Sequence, residues 1–220
     1  MPKVSDEYFD QKKEEIINAA YKVALTKSIS NITLKDVRDE VGMARGGIYR
    51  YYNNLDEILA ALIVKVNSDN SYTEDIKKIL SKGKASKPSN VLKKLCNLFV
   101  EYITSRSSDA LIIGIQFEVF CIHEPERVKK ILSIIDGSNE NSNNYLFAAL
   151  TDYINAETKK GTMKPVMPIP MLMEYFFTVY KGILFQYSIS QNMTDEEPYD
   201  IASIYKAFYH TLTALLGCAD

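Results

Sequence analysis

The sequence predicts an all-α chain with a small N-terminal helical domain over residues 1–54 and a larger helical domain over 55–220. Three observations carry this. Apolar residues recur at three- and four-residue intervals along most of the chain, the spacing that lines one face of an α-helix. No segment shows a sustained two-residue alternation bounded by hairpin turns. Polar, Gly or Pro breaks such as "SISN", "SKGKASKPSN", "SSD" and "GTMKPVMPIP" divide the chain into helix-length pieces.

The first helix is predicted from about Glu7 to Lys27, with Ile16, Ala20, Val23 and Ala24 on one face and lysines and glutamates opposite. "SISN" breaks it. Thr33 suits the N-cap of "LKDVRDEV", whose apolar face is Leu34, Val37 and Val41, and Gly42 stands where a left-handed C-terminal residue is wanted. After a turn at Gly42, Met43 and Ala44, the stretch "RGGIYRYY" reads as a third helix. Asn53 and Asn54 end it and cap a fourth that starts near Leu55.

Two short helices joined by a glycine-containing turn make a helix-turn-helix, whose second helix enters the DNA major groove. Each glycine inside a helix costs about 1 kcal/mol relative to alanine, so Gly46 and Gly47 need a reason. Ile48 and Tyr52 lie one turn apart and anchor the segment to the core, which displaces Arg45 and Tyr49 outward. The two glycines then let the N-terminal turn approach the phosphate backbone, where unpaired N–H groups favour anions. Charge agrees with this placement. The whole chain is formally −2, yet residues 11–52 hold eight Lys or Arg against five Asp or Glu.

From Leu55 to about Lys160 three or four helices are expected. Leu92, Leu95, Cys96, Phe99, Tyr102 and Ile103 form an apolar stripe on one, and Phe117, Phe120 and Cys121 belong to the next. "GTMKPVMPIP" is predicted as a loop. Residues 171–189 are apolar on nearly every side, and 201–217 place Ile201, Ile204, Tyr205, Phe208, Leu212 and Leu215 on one side. Pairing these two helices with the same two of a second copy gives a four-helix interface, which Gly182 would let close tightly. A larger monomeric core is the alternative.

Composition bounds the function. A chain of 220 residues, 46% hydrophobic and 25% charged, buries a full core. No apolar run approaches the ~20 residues needed to span a bilayer, and the N-terminus has no signal-peptide core; a cytoplasmic protein with no membrane partner is expected. Cys96, Cys121 and Cys218 are isolated, without C-x-x-C spacing, which argues against a disulfide framework or a zinc site. With two histidines and no G-x-S-x-G, H-E-x-x-H or phosphate-cradling glycine pattern, no catalytic residue, metal or cofactor is expected.

The pattern "AA" at 19 and 20, Thr33, Val37 and "GMARGGIYRYYNNLDEIL" from Gly42 to Leu59 resembles the N-terminal signature of the TetR/AcrR family of bacterial transcriptional regulators, over about residues 11–60. The resemblance implies a homodimer that binds a palindromic operator through a three-helix N-terminal domain and releases it when a small molecule occupies the C-terminal domain. The family's DNA contacts fall on Thr33, Arg45, Gly46, Tyr49 and Tyr51, with Lys35, Gly47 and Arg50 as additions. Four positions depart from the pattern: Ala44 where a Ser often caps, Ser28 where Gly ends the first helix, Arg38 where Ala packs, and Leu55 where a lysine reaches a phosphate.

The reading is therefore a ligand-responsive repressor that binds double-stranded operator DNA as a homodimer through 171–189 and 201–217. Its effector is a small molecule, apolar or aromatic, lodged between the middle helices. Phe99, Tyr102, Phe117, Phe120, Phe147, Tyr175 and Phe176 are the candidates to line that site, whereas His123, beside Glu124 and Pro125, reads as a boundary residue. Two alternatives stand beside it. A regulator without a ligand requires a solidly filled C-terminal bundle, and an all-helical enzyme requires convergent polar groups that the sequence does not display.

Overall fold

A computed structural model describes residues 6–44, 46–67, 70–83, 86–136, 142–193 and 199–218. Among them are ten α-helices and no strand: α1 (Asp6–Thr26), α2 (Leu34–Val41), α3 (Leu55–Asn67), α4 (Asn70–Lys82), α5 (Pro88–Ser105), α6 (Ser108–His123), α7 (Pro125–Asp136), α8 (Ser142–Lys160), α9 (Ile169–Ser190) and α10 (Ile201–Leu215). The stretch from 55 to 160 holds six helices, not the three or four expected. The extra breaks are short, so they leave little trace in the apolar pattern.

Two compact units form, and neither is contiguous in sequence. One comprises residues 1–68 and 109–139, the other 69–108 and 140–220. The grouping differs from a linear division at 54/55. Helices α3, α6 and α7 bury apolar residues in the same core as α1 and α2: Ile58, Leu59 and Leu62, then Ile113 and Phe120, then Val128 and Ile131. A helix joins whichever core takes its apolar face, and chain order alone does not say which.

In the first unit, polar contacts fix the register of those distant helices. The Gln116 amide on α6 donates to the Ala24 carbonyl at 3.0 Å and accepts from the Ile29 N–H at 3.1 Å, so it satisfies backbone groups around the end of α1. Arg127 on α7 grips Asp56, in the first turn of α3, through Nε at 2.9 Å and Nη2 at 2.8 Å. This two-pronged pairing is more directional than a lysine contact.

The second unit is built from α4, α5, α8, α9 and α10 around Leu92, Leu95, Phe99, Leu150, Phe176 and Leu212. The proline-rich loop at 161–168 is stitched to the end of α10: the Lys164 N–H donates to the Leu216 carbonyl at 2.8 Å and the Val166 N–H to the Leu215 carbonyl at 2.9 Å. Pro170, expected within the loop, lies instead in the first turn of α9, where a missing N–H costs nothing. Gly217 turns the chain at φ +59, and a Cβ there would stand 2.4 Å from the Lys164 carbonyl oxygen.

Helix α9 is not enclosed on every side. It buries Leu172, Met173, Phe176 and Ile183 but exposes Met171, Tyr175 and Phe185 on another face. A Cβ on Gly182 meets nothing within 4 Å. The two glycines therefore predict opposite outcomes. Gly217→Ala should lower the melting temperature by several degrees, from backbone strain and collision, whereas Gly182→Ala should leave the folding of a single chain unchanged. Thermal unfolding followed by circular dichroism distinguishes them.

Candidate nucleic-acid interface

The surface begins with the cap of α2. Thr33 adopts an extended conformation, its hydroxyl accepts from the Asp36 N–H at 3.2 Å, and the Asp36 carboxylate accepts from both the Thr33 N–H and hydroxyl at 2.7 Å. This is a reciprocal capping box. The same carboxylate receives Lys27 Nζ at 2.6 Å from the end of α1, so one acidic group ties two helices together. Those contacts, Lys27 first, hold the Asp36 carboxyl down at about 2. Thr33 is exposed, but both of its donors are engaged by Asp36, and a phosphate would have to compete for them.

Helix α2 stops as expected, at Gly42 with φ 72. The segment after it is shorter than the helix predicted. Gly46 and Gly47 lie in a turn, Ile48–Arg50 form one 3-10 turn, and Arg45 lies outside the described residues. Bonds from the Gly47 N–H to the Ala44 carbonyl (2.8 Å) and from the Tyr51 N–H to the Ile48 carbonyl (3.0 Å) are three-residue closures; the Tyr52 N–H reaches the Ile48 carbonyl at 3.1 Å in the four-residue spacing of an α-helix. Two adjacent glycines weaken propagation of an α-helix here.

Side chains compensate for the missing helix. Ile48 is fully buried and Tyr52 is 7% exposed, whereas Tyr49 is 55% exposed and Arg50 also faces solvent. The anchoring of Ile48 and Tyr52 and the outward turn of Tyr49 follow the sequence expectation. Burial pushes the Tyr52 hydroxyl up to about 12, as suits a ring packed into protein. Lys35 and Gly46 are exposed and Gly47 is half-buried; a Cβ on Gly46 would meet nothing within 4 Å. The space above Gly46 is left clear.

Tyr51 is half-buried and rests on Phe9 of α1, ring centroids 4.9 Å apart. Lys13 lies 5.2 Å from the Phe9 centroid and 5.6 Å from that of Tyr52, within the range of a cation–π contact. Phe9 and Lys13 were not singled out from sequence; their four-residue spacing was the available signal. At its far edge the surface is closed by α3, whose Glu57 N–H donates to Asn54 Oδ1 at 3.0 Å while the Glu57 carboxylate accepts from the Asn53 N–H at 2.9 Å. The result is an exposed set of Thr33, Lys35, Gly46, Tyr49 and Arg50 held on a rigid three-element frame.

The family described as "Bacterial regulatory proteins, tetR family" matches residues 16–62, the stretch that builds this surface. The chain belongs to the TetR family. It is a DNA-binding transcriptional regulator. This TetR-family chain is 23% identical over 214 residues to the uncharacterized HTH-type transcriptional regulator YfiR of Bacillus subtilis (strain 168), covering 92% of this chain and 91% of that protein. Its fold is similar to that of Salmonella enterica GusR, with a TM-score of 0.64 at 15% identity over 98% of this chain and 99% of the other. It is also similar to the fatty acid degradation regulator FadR from Bacillus halodurans, with a TM-score of 0.62 at 18% identity over 96% of each chain.

The aromatic residues expected to line an effector site divide between the units of this TetR-family chain. Phe117 and Phe120 pack in the core of the first unit, edge to face at 6.0 Å, a different core from that of Phe99 and Phe176. Phe99, Tyr102 and Phe176 pack within the second core; Phe147 and Tyr175 are 41% and 37% exposed. The cavity beside Phe99 and Phe176 is small, about 30 Å³, and entirely apolar-lined. A larger cleft of about 620 Å³ lies between α5 and α10. His123 is exposed at the end of α6. Among the described residues no group of three or more His, Cys, Asp or Glu is placed to hold a metal ion, and no helix is long and apolar enough to cross a membrane.

Because Asp36 is lowered on folding, its contacts stabilise the protein above pH 4, and that contribution disappears as the pH falls from about 4 to about 2. Asp36→Asn should therefore cost about 1 kcal/mol at pH 7, discounted for partial exposure, with the difference from wild type shrinking as the pH falls toward and below about 2. Urea titrations of both proteins across that range measure it.

Proposed function

We propose that this regulator binds a palindromic operator as a homodimer and is released by a small molecule bound in its second unit. The DNA contacts we assign are Thr33, Lys35, Arg45, Gly46, Gly47, Tyr49, Arg50 and Tyr51, and residues 1–54 carry the DNA-binding function. The observation that carries this assignment is the division within a single turn: Ile48 and Tyr52 buried, Tyr49 and Arg50 presented outward. Arg50 and Lys35 supply phosphate charge and Tyr49 supplies an aromatic surface with a hydroxyl. Acting on operator DNA, the protein works in the cytoplasm.

Support for the dimer comes from two exposed faces. Met171, Tyr175, Thr178, Gly182 and Phe185 on α9 follow four- and three-residue steps, as do Ile204, Ala207, Thr211 and Ala214 on α10, and all are exposed. Thr178 and Thr211 donate their hydroxyls to their own helix, at the Glu174 and Ala207 carbonyls, so both faces are in effect apolar. A period near 3.5 residues suits helices packed at a shallow angle, and the small residues permit close approach. Repression is the expected sign, by occlusion of the promoter.

The small apolar cavity, about 30 Å³, favours a second reading, a DNA-binding regulator without an effector, because the apolar interior leaves little room for a ligand. The two readings separate in one assay. Compounds that raise the melting temperature should also release operator DNA in a mobility assay, since a ligand that weakens DNA binding must bind the free protein more tightly; stabilisation without release supports the second reading.

Two further outcomes are expected. Tyr49→Ala and Arg50→Ala should each weaken operator binding about tenfold or more with an unchanged melting temperature, and Arg50→Ala should lower the salt slope by about one. Fluorescence anisotropy at several salt concentrations reads both, and wild-type affinity in both variants rejects the assigned surface. In light scattering the protein should be a dimer at micromolar concentration, and Gly182→Leu should shift it toward monomer without unfolding it.

A further inference from the structure

The cleft between α5 and α10 has the size and chemistry of a binding site that the apolar interior lacks. At about 620 Å³ it falls within the range of sites for drug-sized molecules. Lys93 and Asn97 of α5 and Lys206 and His210 of α10 line it. Among the described residues neither lysine is engaged in an ion pair, and Glu101 is the sole acidic group of the lining. The cleft therefore presents a surplus of positive charge from two helices, aimed into one concavity.

A second, independent observation marks the same place. Tyr205, which also lines the cleft, is 2% exposed, and its hydroxyl has no hydrogen-bond partner. An unpartnered buried hydroxyl is destabilising, so a ligand oxygen that accepted from it after a small shift of the ring would recover that loss. The Tyr72 hydroxyl, in the same unit, is likewise buried without a partner. Cys96 lines both the cleft and the small apolar cavity, so the two spaces share a wall. Burial pushes the Cys96 thiol up to about 12, which leaves it a small apolar divider rather than a nucleophile.

We propose that the α5–α10 cleft binds an amphipathic organic anion, a monocarboxylate with an alkyl or aryl body. Its carboxylate sits between Lys93 and Lys206, beside Tyr205, and its apolar body lies against Cys96 toward the inner cavity. The inference rests on the ligand-responsive reading and sharpens it from an apolar effector to an anionic one. Geometry also keeps the site available in the proposed dimer. Ala202, Tyr205, Lys206 and Tyr209 face the cleft, whereas Ile204, Ala207, Thr211 and Ala214 lie roughly half a turn away on α10.

The test uses three probes with one eight-carbon chain: octanoate, 1-octanol and octylamine, below their aggregation limits. Calorimetry on the full-length protein should show octanoate binding at least tenfold tighter than either of the others. Lys93→Gln/Lys206→Gln should weaken octanoate about tenfold or more, while Lys94→Gln/Lys159→Gln, the same charge change outside the cleft, should not. Tyr205→Phe should keep or raise the melting temperature, because an unsatisfied hydroxyl is gone, yet weaken octanoate severalfold. Equal binding of the three probes, no binding of any, or octanoate binding indifferent to the Lys93/Lys206 change overturns the proposal. Operator release is read separately: lysine-dependent octanoate binding without release upholds the cleft and counts against ligand control of DNA binding. If an unrelated compound releases DNA from the Lys93→Gln/Lys206→Gln variant as well as from wild type and octanoate does not bind, ligand control stands and the cleft is overturned.

Discussion

The proposed DNA-binding surface depends on the burial of Ile48 and Tyr52. The segment that carries Tyr49 and Arg50 has one 3-10 turn and a handful of backbone bonds, too little to define an orientation by itself, because a short isolated helix does not persist in water. What orients it is the pair of side chains in the core beneath. Every outward group in the turn is placed by that inward pair. The clear space above Gly46 then becomes usable, since a close approach requires both a missing side chain and a backbone that stays in place.

The frame that receives Ile48 and Tyr52 is assembled from both ends of a long stretch of chain. Asp36 links the cap of α2 to the end of α1, Gln116 of α6 satisfies backbone groups at the other side of the same junction, and Arg127 of α7 fixes the start of α3 through Asp56. Helices α6 and α7 are thereby part of the first unit, although forty residues separate α6 from α3 in sequence. A displacement of α6 would act on Ala24 and Ile29 through a single amide. Those are hydrogen bonds, which have discrete made and broken states.

Local signals in the sequence were read correctly, and long-range ones were not. Thr33 as a cap, Gly42 as a left-handed stop, the Asn53–Asn54 start of α3, and the opposed faces of Ile48 and Tyr49 each follow from residues within one or two turns. Periodicity shows that a face is buried but is silent on what buries it. For that reason the sequence groups Phe117 and Phe120, apolar as read, with Phe99 and Phe176, which lie in a different core. The roles of Gln116 and Arg127 were invisible for the same reason, since their partners are distant in sequence. The third helix failed differently: its pattern was helical, and the conformational freedom of Gly46 and Gly47 prevailed over that pattern.

Helix α10 illustrates how one amphipathic element serves several surfaces. Its buried stripe of Tyr205, Phe208 and Leu212 holds the second core, its small-residue face at Ile204, Ala207, Thr211 and Ala214 is open to a second copy, and Lys206 and His210 border the cleft with α5. A helix whose faces were all apolar would have to bury every side, leaving no polar groups with which to distinguish one ligand from another. A helix with a single apolar stripe could hold the core but not also present a face to a partner. The intermediate composition of α10 reconciles these demands, and it explains why this segment looked less uniformly apolar than α9 while contributing as much to the core. The constraint extends to any substitution in α10: a change at one face is free to alter dimerisation, packing or ligand capture separately only while the helix keeps its register, which the Lys164 and Val166 bonds to its last turn secure.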